Sequence, residues 1–154
     1  MLRLSKKADY ALMAMKHLAL RGDRGSSSAR EIAEQYDIPI ELMAKVLQRL
    51  VRRGLLASHQ GTRGGYQLAR AAIQISVADV IVAIDGPVTV TACSTNDGLS
   101  ACDQFAKCNV RDPLRRVRER IEAALGECTI AELAADAPPM THTMVVREFS
   151  PARQ

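Results

Sequence analysis

The 154-residue chain has no long hydrophobic run. Near the N-terminus the longest apolar stretch, Tyr10 to Met15, has six residues, and Asp79 interrupts the later stretch VADVIVAI. A membrane-spanning helix needs roughly 18 apolar residues in succession, and a secretory signal peptide needs an apolar core that is not found here. We therefore expect a soluble, cytoplasmic protein without a membrane segment.

The chain also lacks the residue patterns of common catalytic sites. No Ser or Cys nucleophile stands next to a His, no glycine loop joins a strand to a helix, and the carboxylates form no pair beyond ordinary helix charges. The glycines of GTRGGY, residues 61–66, belong instead to a predicted hairpin tip. These absences argue against an enzyme.

Charge and apolar content permit one folded unit with an anionic partner. The 21 Lys and Arg exceed the 17 Asp and Glu by four, and 47% of the residues are hydrophobic. A chain of this length can bury one substantial core, or a small domain together with an interaction element. The basic excess is compatible with nucleic acid binding and equally with an ordinary solvated surface.

Helical periodicity and capping signals predict three helices in the first part of the chain. Ser5 can cap a helix that ends at Gly22, and Ser28 with Glu31 has the spacing of a capping box. In the segment IELMAKVLQRLVRRG, which ends at Gly54, apolar residues fall on one face and basic residues mainly on the other. This helix should pack one side on a core and expose the other.

Two short strands are predicted after the third helix. The stretch LLASHQGTRGGYQLA places them around a glycine-rich tip that carries Arg63. Helix, short helix, turn, longer helix and hairpin is the order of a winged helix-turn-helix, whose longer helix can enter the DNA major groove. A three-helix core with a solvated, charged face and a protein-binding winged helix stay open as alternatives.

A long helix with an apolar seam is predicted in the second part of the chain. Ser76 caps a short helix before it, and Asp112 and Pro113 are predicted as its own N-cap and first residue. Its apolar residues recur in alternating threes and fours and form a seam, which consists of Leu114, Val117, Ile121, Ala124 and Leu125. The seam predicts a partner helix, most simply in a symmetric homodimer, although it could fold back on its own domain.

We therefore expect a mainly α protein in three parts. Residues 1–75 form a winged helix-turn-helix domain, residues 76–135 hold a cysteine-bearing loop and a long C-terminal dimerisation helix, and residues 136–154 form a flexible tail. Thr129 and Glu132 open one more short helix within the second part.

Three of the four cysteines, Cys93, Cys102 and Cys108, lie within sixteen residues. In a reducing cytosol, clustered cysteines are more often metal ligands or redox sensors than disulfides. The spacings of eight and five intervening residues disfavour a zinc ribbon, in which paired cysteines are two to four residues apart. An iron-sulfur cluster, zinc and a metal-free thiol pair all stay open; Cys128 is expected to be a small buried residue.

Several motifs together resemble a known family. LRLSKKADYALMAM, REIAEQYDIP, LQRLVRRGLLASHQGTRGGYQLA, TIAEL and the three loop cysteines are similar to the IscR/NsrR-like winged-helix iron-sulfur regulators, which include regulators of the SUF system. The resemblance extends from residue 2 to about residue 135. It implies a dimeric transcription regulator that controls iron-sulfur cluster assembly or stress genes.

The resemblance implies that Cys93, Cys102 and Cys108 bind a cluster, of the 2Fe-2S or the 4Fe-4S type. IscR-like members have a histidine three residues after the last cysteine, where this chain has Arg111. NsrR-like members instead take an aspartate from the partner's first helix, and Asp9 is at that position. The alternatives are a metal-free thiol sensor of the same fold and a repressor that responds to nitric oxide.

The expected partner is double-stranded DNA, bound by the homodimer at a palindromic promoter site. Ala44 stands where IscR-like members have a glutamate that faces the bases, so base preference does not carry over. Side chains of suitable type on the third helix, at the start of the second and in the wing are the predicted DNA contacts: Ser28, Arg30, Glu41, Lys45, Gln48, Arg49, Gln60 and Arg63.

Overall fold

A computed structural model of the chain describes residues 3–91, Cys93 and residues 102–135. Within these ranges the elements are α1 Lys6–Arg21, α2 Ala29–Gln35, α3 Ile40–Arg52, β1 Leu56–His59, β2 Gly65–Leu68, α4 Val77–Asp85, α5 Arg111–Glu127 and α6 Ile130–Ala134. The prediction of a mainly α fold with a two-stranded wing is confirmed. The predicted tail at residues 136–154 lies outside the described residues. No helix in the described ranges has both the length and the apolar character needed to cross a bilayer.

Helix α1 begins and ends where the sequence predicts. The Ser5 hydroxyl accepts a hydrogen bond from the Ala8 backbone N–H at 3.1 Å, and Gly22 follows the helix with φ +51°. The fully buried face of α1 is rich in alanine, so that α3, α4 and α6 all pack against it. Its buried residues are Ala8, Ala11, Ala14, Met15 and Leu18.

The pair α2–α3 forms the helix-turn-helix. The predicted capping box is present, because the Ser28 hydroxyl accepts from the Glu31 N–H and the Glu31 carboxylate accepts from the Ser28 N–H. Asp37 takes a left-handed conformation, φ +52°, in the turn between the helices. Helix α3 then buries one face against α1 and α2, through Met43, Val46, Leu47 and Leu50.

The wing is an antiparallel hairpin that is tied to the helices. Strand β1 pairs with β2 from Leu56 opposite Leu68 to His59 opposite Gly65. The buried residue Ser27 exchanges two backbone hydrogen bonds with Tyr66, of 3.0 and 2.8 Å, and so extends the hairpin on its other edge. The wing base is therefore fixed by the segment that leads into α2.

His17 connects this junction to α1. Its ring nitrogens lie 3.1 Å from the Tyr36 hydroxyl and 3.3 Å from the Ser27 hydroxyl. Burial lowers the pKa of His17 from its ordinary value, and the nearby Arg21 cation lowers it further. The ring is therefore held neutral within a hydrogen-bonded group that joins α1, α2 and the wing.

The last helix returns to the core that α1 and α3 build. Ile130 at the start of α6 is fully buried in the same cluster as Ile75 and Val80. The Ile130 N–H donates to the Ile75 carbonyl at 2.9 Å, and the Val77 N–H donates to the Cys128 carbonyl at 2.8 Å. The predicted cap at Thr129 is confirmed as a capping box. The chain therefore leaves the core at residue 86 and returns to the same core after residue 127.

The predicted start of α5 is wrong by two residues. The helix begins at Arg111 after Val110, and not with Asp112 as N-cap and Pro113 as first residue. The Val110 carbonyl accepts from the Leu114 N–H at 3.0 Å, so the first turn already includes Arg111 and Asp112. Pro113 is tolerated there because the first N–H groups of a helix have no intrahelical partner.

The apolar seam of α5 stays accessible in the single chain. No residue of α5 is buried, and the Val117 side chain is 43% exposed. Elsewhere on the helix Arg115–Glu119 form an ion pair at 2.6 Å, and beside the seam Arg118–Glu122 form one at 3.7 Å. Homodimerisation through the seam stays a prediction.

We predict that Gly65→Ala destabilises the wing. Gly65 has φ +155°, and a Cβ there would meet the Ser27 carbonyl oxygen at 2.6 Å. Such a strained position costs about 1–3 kcal/mol of unfolding free energy, which denaturant titration measures. Gly126→Ala in α5 is the matched control, because nothing lies within 4 Å and alanine stabilises a helix by up to about 1 kcal/mol. Equal stability of Gly65→Ala and wild type would contradict the wing geometry.

We also predict an acid sensitivity that depends on His17. The unfolded chain takes up a proton near the ordinary value of 6.5, whereas the folded chain takes it up only at lower pH. Between the two values the unfolded state binds more protons, so the unfolding free energy falls as the pH drops below about 6.5. Thermal unfolding from pH 7.5 to 5 should show this decline in wild type and in His59→Gln, and a shallower one in His17→Gln. Parallel profiles of all three would refute it.

Candidate DNA-binding surface and cysteine segment

Helix α3 presents a polar face to solvent, opposite its buried face. We call this the reading face; it consists of Glu41, Lys45, Gln48, Arg49 and Arg52, all exposed. The 3.6-residue period of the helix separates these residues from the buried face at Met43, Val46, Leu47 and Leu50. The packing of α3 on α1 and α2 therefore fixes which side chains face outward.

Two grooves run along the sides of the reading face. The α1 groove, of about 760 Å³, lies between α3, the first turn of α1 and the end of α4. The wing groove, of about 590 Å³, lies between α3, the start of α2 and the hairpin. Gln48 and Arg52 line both grooves and so form the ridge between them. A ridge between two grooves is the shape that a helix needs to enter the major groove.

The predicted DNA contacts fall on different parts of this surface. Ser28, Gln48 and Gln60 line the wing groove, whereas Lys45, Gln48 and Arg49 line the α1 groove. Glu41, Arg30 and Arg63 are exposed, but neither groove is lined by them. Their roles in DNA binding stay predictions.

The two predicted arginine contacts outside the grooves, Arg30 and Arg63, have protein partners of their own. Arg30 pairs with Glu34 at 3.9 Å on the surface of α2. In the wing tip, the Arg63 carbonyl accepts a hydrogen bond from the Ser26 hydroxyl at 2.9 Å. This bond holds the Arg63 backbone beside the segment that leads into α2. An exposed ion pair such as Arg30–Glu34 contributes little to stability, so the guanidinium can exchange it for a phosphate.

Arg49 has a structural role that the sequence did not indicate. Its Nε donates to the Ala83 carbonyl at 2.9 Å, in the last turn of α4. The final carbonyls of a helix have no intrahelical partner, and a cation is favoured at that end. Arg49 therefore joins the reading helix to α4.

The same turn of α4 also holds the start of α1. The Asp85 carboxylate accepts from the Ser5 hydroxyl at 2.6 Å and from the Ser5 N–H at 3.2 Å. Ser5 is at the same time the N-cap of α1. The two residues are 80 positions apart in the chain, so no local pattern could predict the pair.

The cysteine segment, residues 86–110, begins directly after this turn. Cys93, Cys102 and Cys108 are free and half-exposed, and the Cys93 sulfur lies 3.2 Å from the Thr91 hydroxyl oxygen. Asp9 is half-buried in the first turn of α1. Among the described residues, no three His, Cys, Asp or Glu side chains are grouped closely enough to hold a metal ion. A single chain does not assemble the predicted ligand set.

The second half of the cysteine segment is folded against α5. The Phe105 N–H donates to the Cys102 carbonyl at 3.0 Å, so Cys102 and Cys108 stand at the two ends of a compact turn. The Arg111 guanidinium carbon lies 4.6 Å from the centroid of the Phe105 ring and stacks on it. Arg111 thus packs on the turn between the two cysteines.

Cys128 is half-buried, where the sequence predicted a buried residue. It follows α5 directly, at a position where its carbonyl pairs with Val77 while its side chain stays at the edge of the core. Burial raises the pKa of its thiol, and the Glu132 carboxylate raises it further. The thiol is therefore kept protonated, which makes it a weaker nucleophile and a weaker ligand.

Sequence reasoning missed three cations next to the predicted contacts: Arg52 on the ridge, and Lys6 and Lys7 in the α1 groove. The sequence contains one signal that could have singled out the two lysines. They stand in the first turn of α1, where the helix dipole favours acidic and not basic side chains.

A helix-turn-helix with an exposed polar reading face and a β wing is a winged-helix fold, which is typical of DNA-binding transcription regulators. Residues 4–136 match the Rrf2 family, described as iron-dependent transcriptional regulators. The chain belongs to the Rrf2 family. Its members are DNA-binding regulators, so the expectation of a regulator and not an enzyme is confirmed.

Individual relatives agree with this assignment. The IscR regulator of Serratia proteamaculans (strain 568) is 35% identical over 132 residues, which are 86% of this chain and 79% of IscR. The structure of T. potens IscR has a TM-score of 0.70 at 27% identity and covers 89% of both chains. Staphylococcus aureus CymR in its oxidized form has a TM-score of 0.70 at 25% identity, over 89% of this chain and 99% of that one. The resemblance to IscR-like regulators is confirmed.

Proposed function

We propose that this regulator senses an iron-sulfur cluster held by Cys93, Cys102 and Cys108, and that the state of the cluster controls DNA binding. The observation that carries the proposal is the position of the three thiols. They follow the last turn of α4, which holds both α1 and the reading helix through Ser5 and Arg49.

The donor set fits an iron-sulfur cluster by its chemistry. Thiolates are the usual ligands of such clusters, and all three thiols are free and half-exposed. The cluster, when bound, supplies a rigid centre of either the 2Fe-2S or the 4Fe-4S type. Since one chain does not group a ligand set, Asp9 is the fourth ligand that we assign, contributed by the partner subunit's first helix.

The homodimer that this ligation needs forms through the seam of α5. Leu114, Ile121 and Leu125 are half-buried in the single chain, and Val117 is exposed. Ile121 and Leu125 also line an apolar cleft of about 500 Å³ with Leu4 and Ile81. Burying these surfaces against a second copy favours association by the hydrophobic effect. Two reading heads on one duplex fit a palindromic promoter site, with half-sites about one helical turn apart.

Within each head the reading face supplies the base contacts, from Glu41, Lys45 and Gln48. Arg49 supports the same face through its bond to Ala83, and its guanidinium can also reach DNA. Surrounding residues contact phosphates or the minor groove: Ser28, Arg30, Gln60 and Arg63.

The division of the chain is functional. Residues 1–75 read DNA, and residues 76–135 bind the cluster and dimerise. Ligation at the cysteine segment restrains the last turn of α4, and through Asp85 and Ala83 it restrains the orientation of the reading head. The controlled genes are those of iron-sulfur cluster assembly, as in the SUF system, or of stress responses, in the cytoplasm. Nitric oxide is a second signal that the same cluster can report.

A second candidate is a metal-free thiol redox sensor of the same fold. Half-exposed free thiols in one segment are suited to reversible oxidation to a disulfide pair. The structural likeness to CymR, which has been solved in an oxidized form, favours this reading over a structural zinc module.

Anaerobic purification separates these candidates. We expect brown protein that contains iron and sulfide in near-equal amounts, and promoter affinity that differs at least tenfold between this form and the chelator-treated form. Asp9→Ala should lose the cluster faster than wild type, whereas the matched control Asp23→Ala, an exposed aspartate just after α1, should keep it.

Three results would contradict the cluster proposal. Colourless protein whose DNA affinity changes with oxidation, and recovers with thiol reductant, supports the thiol sensor. Zinc without iron supports a structural zinc site. Equal DNA affinity with and without the cluster would refute the switch even if a cluster is present.

A further inference from the structure

The α1 groove contains two cations to which the proposed function gives no role. Lys6 and Lys7 are exposed in the first turn of α1, on the side of the reading face opposite the wing. Three further cations line the same groove: Lys45, Arg49 and Arg52. The cations outnumber the single acidic residue that lines the groove, Asp85.

One carboxylate offsets only one of the five cations that line the groove, and it has hydrogen-bond partners of its own. Both carboxylate oxygens of Asp85 accept hydrogen bonds from Ser5, at 2.6 and 3.2 Å. The same bonds fix the N-cap of α1 and so fix the backbone of the two residues that follow. The backbone of the two lysines is therefore fixed at the edge of the groove. Binding of a ligand needs to order only their side chains.

The position of the groove defines its ligand. A helix in the major groove has one sugar-phosphate strand on each side of it. Gln48 and Arg52 form the ridge between the two grooves. If this ridge enters the major groove, one strand lies along the wing groove and the other along the α1 groove. The wing side has Ser28 and Gln60 for its strand, and the α1 side has the lysines.

The lysines also break a local rule of helix design. Cations in the first turn of a helix oppose the helix dipole, which favours acids at that end. Lys6 and Lys7 both do so, and no ion pair stabilises either of them within the described residues. An anion bound beside them removes this conflict.

We propose that Lys6 and Lys7 form a phosphate-binding subsite for the DNA strand on the α1 side of the reading helix. The inference rests on the proposed DNA contacts of α3 and adds the second strand to them. Phosphate contacts carry no sequence information, so the subsite sets affinity and orientation and not base preference.

The test measures DNA affinity by fluorescence anisotropy between 50 and 300 mM KCl. The probes are a duplex that wild type selects from a random pool and an unrelated duplex of the same length. Each lost phosphate contact reduces the slope of log K against log salt concentration by about 0.9. The double variant Lys6→Ala/Lys7→Ala should therefore lose about 1.8 of slope for each reading head, about 3.6 for the homodimer, and bind both duplexes more weakly at 100 mM salt.

Lys16→Ala is the matched control. Lys16 is an exposed lysine of the same helix, and its loss changes the net charge without touching the α1 groove. Its slope should equal that of wild type. Lys6→Gln/Lys7→Gln repeats the test with side chains of similar size, and thermal unfolding verifies that each variant is folded.

The outcomes separate this inference from the proposed function. An unchanged slope in both double variants would overturn the subsite, while loss of binding in Lys45→Ala would leave the reading face standing. A slope lost equally in Lys16→Ala would show a general charge effect and also overturn it. Wild type that binds neither duplex would overturn the proposed DNA contacts together with the subsite.

Discussion

The last turn of α4 is the point on which the rest of the structure depends. Ala83 accepts from Arg49 of the reading helix, and Asp85 accepts from Ser5 at the start of α1. The cysteine segment begins at the next residue, Gly86. One turn of helix therefore fixes the DNA-binding elements and also fixes where the cysteine-bearing chain leaves them. In an allosteric protein, two sites need such a shared element whose arrangement both can bias.

The C-terminal end of residues 86–127 is also anchored to the core. Helix α6 packs in the core through Ile130. The residues at the start of α6 form backbone hydrogen bonds with the residues that lead into α4. With both ends held by one core, a change within residues 86–127 has few ways to reach the reading face. It can act through the end of α4 or, in the proposed homodimer, through the seam of α5. Arg111, stacked on Phe105, links the cysteine turn to α5.

Much of this architecture could be predicted from the sequence, because its signals are local. The caps at Ser5, Ser28 and Ser76 depend on residues three positions away, and the faces of α3 follow from helical period. The start of α5 was misplaced because the Asp-Pro pair fits the first turn at more than one position. The hydrogen bonds of Ser5 and Arg49 to α4 could not be predicted from the sequence, because they form only when helices that are distant in the sequence pack together. The cysteine pattern names candidate ligands, but whether they meet depends on loop closure and on a second chain.

Hydrogen-deuterium exchange of the anaerobically purified protein, before and after treatment with an iron chelator, tests the proposed coupling most directly. The account predicts faster exchange after chelation in the cysteine segment, and also at the Gly86 amide, which closes α4, and at the Ala8 amide, which the Ser5 hydroxyl holds. A change confined to residues 87–110, with exchange at the Gly86 and Ala8 amides unaltered, would contradict it. The state of the cysteine segment would then have no path to the reading face within one chain.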